Sequence, residues 1–224
     1  MTMCCDITSL PNDHCGSVAY VAAEPDSKWA LVIDPADLIS GRVCEFLSRS
    51  GYTDLLIALT HEHFDHMSGV NRLRECFRAT VVASAISSRS VPDPRKNLSR
   101  YVLGVDIHCA GADVTWDSGE IELEWNGMRI ALMATPGHSP GSVCIAIENK
   151  LFTGDTLIYG TSTVVKLPGG NRLQLRQSIE LLCTRFSGQT MVYAGHGPHF
   201  RLGEINLGQV FGHPQVQAYA SCSS

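Results

Sequence analysis

The chain has 224 residues, of which 44% are hydrophobic and 17% charged, and its formal net charge is -5. This composition predicts a globular protein with a buried core, and the acidic balance argues against a nucleic-acid partner, because phosphate contacts need clustered Lys and Arg. Since no apolar run approaches the roughly 20 residues of a membrane-spanning helix, we expect no membrane partner either.

The N-terminal residues lack both a basic segment and an apolar segment, so they predict no secretory signal and a cytoplasmic protein. Nine cysteines are scattered along the chain. Their number is odd and they form no C-x-x-C pair. We interpret them as reduced thiols, several of them buried as small apolar residues, and Cys144 and Cys183 fit this interpretation.

Short apolar and β-branched runs predict nine strands. In chain order, these are 17–22, 30–33, 55–59, 80–83, 121–125, 128–134, 142–147, 151–153 and 191–193. Asn126 and Gly127 separate two of them and are typical of the two-residue turn of a β-hairpin.

Apolar residues at helical spacing predict three helices between the strands. Their apolar positions are Ile39, Val43, Phe46 and Leu47 in the first, Val70, Leu73 and Phe77 in the second, and Ile179, Leu182, Cys183 and Phe186 in the third. Gly51 and Gly188 follow the first and third helices, and Ser68 is a candidate N-cap of the second. This order fits two stacked sheets with helices outside.

We find no internal repeat or linker, so the sequence predicts a single domain over 1–224, with 1–10 and 213–224 as candidate flexible tails. The least regular segment is 87–113, which contains Pro92 and Pro94. It could be a substrate-facing loop or a surface excursion without a role.

The hexapeptide 61–66, HEHFDH, directly follows a predicted strand and contains three histidines and two acidic residues. His61 and His63 are two residues apart, so in an extended loop both can face one metal ion. Asp65 and His66 are adjacent and diverge, so they can serve a second ion. Three histidines in six residues have little structural use, and the hexapeptide therefore predicts a metal site.

Three further segments each place a candidate ligand in a tight turn after a strand. His138 lies in a Pro-Gly turn and is the best candidate for the third ligand of the first ion. Asp155 follows Gly154, which permits close backbone approach, and its carboxylate could bridge two ions. His196 lies between two glycines. Two ions sharing a hydroxide would provide a nucleophile at neutral pH, which Asp65 could orient or deprotonate.

Together these motifs resemble those of the metallo-β-lactamase superfamily. The hexapeptide fits H-x-H-x-D-H, and the segments TPGHSPGS at 135–142, FTGDTL at 152–157 and GHGP at 195–198 resemble the remaining motifs. The resemblance extends over about 16–206. It implies an α+β four-layer αββα sandwich with the metals at the edge of the two sheets.

Within the superfamily, the chain is most similar to the short glyoxalase II-like hydrolases. That resemblance implies three ligands for metal 1, three for metal 2 and one bridging carboxylate: His61, His63 and His138; Asp65, His66 and His196; and Asp155. The expected cofactors are two divalent ions, zinc in the first place, with iron or manganese as alternatives. His14, His108, His199 and His213 are left outside the site.

The chain departs from this family at 163–166. The family usually carries Gly-Arg-x-Asp there, whereas this chain has Thr-Val-Val-Lys. Lys166 is our candidate contact for a substrate carboxylate or phosphate. The chain also ends soon after His196, without the helical domain with which glyoxalase II binds glutathione, so we do not expect S-lactoylglutathione to be the substrate.

The function we predict is that of a dinuclear metal hydrolase, which cleaves a small ester, thioester or related acyl substrate through a metal-bridged hydroxide. The alternative is a mononuclear iron persulfide dioxygenase, whose ligands would be His61, His138 and Asp155. A β-lactamase is disfavoured because a bridging Asp155 is not typical of that group. A non-catalytic metal-dependent binding protein is a third class. The sequence leaves the substrate, the metal and the oligomeric state open.

Overall fold

The computed structural model describes residues 5–37 and 41–211. In this part of the chain, twelve strands form two six-stranded sheets. The first sheet has the order β1 to β6, with the bounds Asp6–Pro11, Val18–Ala23, Trp29–Ile33, Asp54–Ala58, Arg78–Ser84 and Val114–Trp116. The second sheet has the order β12 to β7, and in chain order β7 to β12 are Glu120–Trp125, Met128–Ala134, Val143–Ile147, Lys150–Gly154, Met191–Ala194 and Phe200–Arg201.

The helices lie mainly in the connections between these strands. In chain order, α1 to α7 are Arg42–Arg49, Phe64–Met67, Val70–Cys76, Ala85–Ser90, Ser99–Val102, Arg172–Arg185 and Leu207–Phe211. A short 3-10 helix, Leu202–Glu204, precedes α7. None of the helices within the described ranges is long and apolar enough to cross a membrane.

Side-chain alternation along the strands produces three apolar cores and hence four layers. In β4, Leu55 and Ile57 pack with residues of α1 and α3, whereas Leu56 and Ala58 pack toward the second sheet. The outer face of the second sheet packs against α6 and α7. Successive residues of a strand point to opposite faces, so a strand buried on both faces must be apolar throughout. The predicted αββα sandwich is confirmed.

Strand direction brings several strand ends to one edge of the sandwich. In the first sheet, β3, β4 and β5 are parallel neighbours, and in the second sheet β10 and β11 are parallel. The carboxyl ends of parallel strands lie at the same edge of a sheet. Backbone hydrogen bonds join the two sheets there, from Val143 N to Thr60 O at 2.8 Å and from Val18 N to Gly195 O at 2.8 Å.

All nine predicted strands are present, with ends within two residues of the predicted ones. Strands β1, β6 and β12 were not predicted. The expectation of a flexible tail over 1–10 is wrong for residues 6–10, because β1 pairs with β2 along its whole length. Residues 1–4 and 212–224 lie outside the described ranges, so the C-terminal tail over 213–224 stays a prediction.

The predicted helices need three corrections. Ser68 is the C-cap of α2, and Gly69 takes the N-cap position of α3. Helix α6 begins well before its predicted apolar positions, at Arg172, because the Asn171 side chain caps it by accepting from Leu173 N and Gln174 N. The segment 87–113 contains α5 and most of α4. Ile39, which was assigned to the first helix, lies outside the described residues.

The cysteines agree with the interpretation as reduced thiols. Six cysteines within the described ranges are free thiols, namely Cys5, Cys15, Cys44, Cys76, Cys109 and Cys144. Cys144 is fully buried in the core beneath α6, and Cys183 is partly buried beside that core.

The fully buried Phe152 lies between the sheets, with ring centroids 5.4 Å from Tyr20 and 5.0 Å from Tyr193. We expect Phe152→Ala to lower the free energy of unfolding by about 3–5 kcal/mol, because it leaves a cavity. The measurement is urea denaturation followed by circular dichroism. Leu173→Ala, at an exposed position of α6, should change stability by less than about 0.5 kcal/mol. Equal effects of the two substitutions would contradict this assignment of the core.

Candidate metal centre

All seven predicted ligands lie at the edge where the strand ends meet. His61 and His63 occupy the turn between β4 and α2, and Asp65 and His66 lie on α2. The other three follow strands of the second sheet, with His138 after β8, Asp155 after β10 and His196 after β11.

The first triad consists of His61, His63 and His138, whose nitrogens lie within 4.8 Å of one another. His138 Nε2 is 3.0 Å from His63 Nδ1. All three side chains are buried. Three imidazoles at this spacing can surround one ion, since His nitrogens bind Zn²⁺ at about 2.0–2.1 Å.

The second triad consists of Asp65, His66 and His196, whose ligand atoms also lie within 4.8 Å of one another. Asp65 Oδ2 is 3.4 Å from His196 Nε2 and 3.7 Å from His66 Nε2. His66 is fully buried, whereas the side chains of Asp65 and His196 are 18% and 27% exposed. This triad is therefore on the side of the centre that faces solvent.

Asp155 lies between the two triads. Its Oδ1 is 3.6 Å from His66 Nε2, and its Oδ2 is 3.6 Å from both His138 Nε2 and His196 Nε2. One carboxylate oxygen therefore faces the second triad, and the other faces both. A carboxylate in this position is suited to bridging two ions.

The bonding of the cluster itself indicates a missing positive partner. His61 Nε2, His66 Nε2 and Asp155 Oδ1 are buried without a hydrogen-bond partner in the described part of the chain. Buried polar side-chain atoms normally have a partner, and leaving one without costs about 1–3 kcal/mol. Because these atoms are metal-ligand types grouped at one spot, the residues fit a pair of divalent ions.

Hydrogen bonds to Nδ1 orient three of the imidazoles and leave Nε2 for the cluster. His61 Nδ1 is 3.0 Å from Thr60 Oγ1, and His66 Nδ1 is 3.0 Å from Asp34 Oδ2. His138 Nδ1 is 2.8 Å from the backbone oxygen of Val164. Such partners fix the tautomer and the ring orientation of a metal-binding histidine.

Asp34 supports the cluster from outside the triads, and sequence reasoning assigned it no role. Its carboxylate accepts from Thr60 N at 2.7 Å and from Thr60 Oγ1 at 2.5 Å as well as contacting His66. Although Asp34, His61 and His66 are also close enough to hold an ion, the oxygens of Asp34 are already used in this way. Its position just after β3, at the same edge as the ligands, was the available signal.

Burial and neighbouring charges shift the pKa values of the residues in the cluster. Burial lowers the pKa of His61 well below its ordinary value and lowers that of His63 to about 3. Burial acts in the same direction on His66, but the carboxylates of Asp65 and Asp155 outweigh it and raise its pKa to about 10. Burial acts to raise the pKa of Asp65, yet His66 holds it well below its usual range. The carboxylates thus attract positive charge to this spot.

The remaining candidates lie outside the triads. Lys166 is exposed on the segment 159–171. This segment contacts the cluster through the carbonyl oxygen of Val164, which lies near His138 Nδ1. The His199 ring lies 5.8 Å from that of Tyr193, and His108 Nδ1 contacts the oxygen of Pro92 at 3.0 Å. Among the described residues, no group of potential metal ligands includes His14, His108 or His199.

Comparison with known proteins agrees with the architecture of this centre. The family model of the Metallo-beta-lactamase superfamily matches residues 55–196, which include all seven candidate ligands. The chain belongs to this superfamily. It is 31% identical over 182 residues to the "Probable metallo-hydrolase YqgX" of Bacillus subtilis, covering 80% of this chain and 84% of that protein.

Two solved structures of superfamily proteins are similar to this chain. The BLEG-1 B3 metallo-beta-lactamase is 32% identical with a TM-score of 0.82, and the match covers 89% of this chain and 95% of BLEG-1. TTHA1623, solved in a di-iron-bound form, is 26% identical with a TM-score of 0.73, and the match covers 88% and 96% of the two chains. This chain thus shares its fold with metal-dependent proteins over most of its length.

Gly195 lets the backbone pass close to two candidate ligands, since a Cβ there would collide with Asp155 Oδ1 and with His66 Cε1. We expect Gly195→Ala to weaken metal binding by at least about 10-fold, which chelator competition would measure. Gly188→Ala is the matched control, because its Cβ would approach nothing closer than 3.4 Å. Wild-type metal affinity in folded Gly195→Ala would contradict the assigned site.

Proposed function

We propose that this superfamily member is a dinuclear metal-dependent hydrolase of the glyoxalase II-like type, which cleaves a small ester, thioester or related acyl substrate. The observation that carries the proposal is Asp155, whose two carboxylate oxygens lie between two complete triads. The name of YqgX, a probable metallo-hydrolase, supports the reaction class.

In this proposal, the first triad and the second triad would each hold one divalent ion, and Asp155 lies between the two triads. Two divalent ions at such a site would lower the pKa of a water molecule and polarise a substrate carbonyl. Zinc is the first choice because five of the seven ligands are imidazoles, which suit it. Iron is the alternative, supported by the di-iron form of TTHA1623.

The exposures of the side chains suggest how the protein serves the reaction. The first triad is buried, so substrate would approach from the side of Asp65 and His196. The positive charge of bound ions would keep Asp65 as a carboxylate at neutral pH. A carboxylate oxygen of Asp65 that is not bound to an ion could orient an attacking water by accepting a hydrogen bond, or take its proton.

Metal analysis combined with a substrate panel tests the proposal. Protein purified without chelator or nickel should contain about two zinc, iron or manganese ions per chain and should hydrolyse a member of an ester and thioester panel. A β-lactam belongs on the panel because BLEG-1 is a metallo-beta-lactamase. A single iron with oxygen consumption on persulfides would instead indicate the dioxygenase and overturn the hydrolase.

Asp65→Asn should lower kcat by about 10²–10⁴-fold, the usual contribution of a general base, while the protein stays folded and binds at least one ion. Steady-state kinetics on the substrate found by the panel would measure this. His199→Ala is the control and should leave kcat nearly unchanged, because His199 contacts Tyr193 and lies outside the triads. Undiminished turnover by Asp65→Asn would disprove the role of Asp65.

A further inference from the structure

Glu62, the second residue of the hexapeptide, is a buried acid that is not part of either triad. Its side chain is 4% exposed, and among the described residues it forms no ion pair with Lys, Arg or His. Instead, its Oε2 accepts hydrogen bonds from Ser87 Oγ at 2.9 Å and from Ser139 Oγ at 3.0 Å. Burying a carboxylate is unfavourable unless it is paired or hydrogen-bonded, so these two hydroxyls are its essential partners.

The two serines belong to a wider hydrogen-bonded network, which includes the turn after His138. Ser139 Oγ is 2.9 Å from Ser142 Oγ, which in turn accepts from Ser139 N at 3.1 Å. Ser87 Oγ is also 3.1 Å from the carbonyl oxygen of Gly141. The Glu62 carboxylate thereby connects three segments of the chain, which are the hexapeptide, the turn 138–142 and helix α4.

The packing around this network leaves little freedom. Ser87 and Ser139 are fully buried. A Cβ on Gly141 would collide with both Ser87 Oγ and Glu62 Oε2, so the turn can approach the carboxylate only because residue 141 is glycine. A network this close-packed holds the turn 138–142 at a fixed distance from the hexapeptide.

The covalent neighbours of the network determine which ion it affects. Glu62 lies between His61 and His63, and Ser139 directly follows His138. All three ligands of the first triad are therefore next to residues joined by one carboxylate. Two of the second triad's ligands have other anchors, since His66 contacts Asp34 and His196 follows β11.

We propose that Glu62 is a positioning residue that sets the spacing of the first triad and thereby the affinity of its ion. The inference rests on the dinuclear site of the proposed function. Glu62 then affects the affinity of one ion and not that of the other, a difference that a general role in stability would not produce. Glu62 acts in this proposal through the oxygen that accepts the two hydrogen bonds, and not through its negative charge, because both hydroxyls donate to the same atom, Oε2.

The test measures Zn²⁺ affinity by competition with a chromophoric chelator, on full-length protein first stripped of metal. Glu62→Ala should weaken the binding of one ion by about 10–100-fold, the usual effect of removing such a supporting residue, and leave the other unchanged. In a His196→Ala background, where the second triad is incomplete, the ion that remains should show the same loss. Unchanged affinities in folded Glu62→Ala, or equal losses for both ions, would overturn the proposal.

Two further variants separate position from charge and from folding. Glu62→Gln keeps an oxygen that can accept from both serines, so it should retain most of the affinity that Glu62→Ala loses. Ser99→Ala removes another fully buried hydroxyl, which accepts a hydrogen bond from Ile107 N at 3.0 Å and is not one of the groups that bond to Glu62, and it should leave both affinities unchanged. If Glu62→Ala does not fold, Ser139→Ala decides, because it deletes one of the two hydrogen bonds. Wild-type affinity in that variant would refute the proposal.

Failure of this inference and failure of the proposed function give different results. Wild-type protein that binds two ions but hydrolyses nothing on the panel would refute the hydrolase, and the affinity measurements on Glu62 would still hold. Active wild-type protein whose Glu62→Ala form binds both ions normally would refute only the role of Glu62.

Discussion

The convergence of strand ends at one edge of the sandwich is the constraint on which the centre depends. Parallel pairing aligns the ends of β4 and β3 in one sheet and of β10 and β11 in the other. Tyr20, between the sheets, donates a hydrogen bond from its hydroxyl to Ala194 O at 2.6 Å and so fixes β2 against β11 just before His196. Ligands from four separate segments can meet only because the core between the sheets holds these ends in register.

The same edge carries a local cost in stability. Two imidazole nitrogens and one carboxylate oxygen are buried there without a hydrogen-bond partner among the described residues, and each such atom costs about 1–3 kcal/mol. The three apolar cores supply the stability that tolerates this cost. Buried partners such as Asp34 then orient the rings, so that ligand atoms of His61 and His66 point into the cluster.

Much of this could be predicted from the sequence, because the relevant signals are local. Three histidines in one hexapeptide and the strand-then-turn pattern around Asp155 need no knowledge of distant residues. Strand β1 was missed because it is an edge strand without an apolar run, and its order comes from pairing with β2. The hydrogen-bond partner of His138 Nδ1 could not be predicted, because it is the backbone oxygen of Val164, which any residue would supply.

The departure at 163–166 takes on a physical meaning in the structure. Where the glyoxalase II-like hydrolases that the sequence resembles usually have an arginine and an aspartate, this chain has Val164 and Lys166, and the segment touches the centre through a main-chain oxygen. A backbone contact of this kind constrains the path of the chain but not the side chains that it carries. Val164 is exposed, so the segment can orient His138 while presenting an apolar surface beside it. The side chains of this segment can therefore differ from those of the hydrolases that the sequence resembles, while His138 keeps its backbone partner.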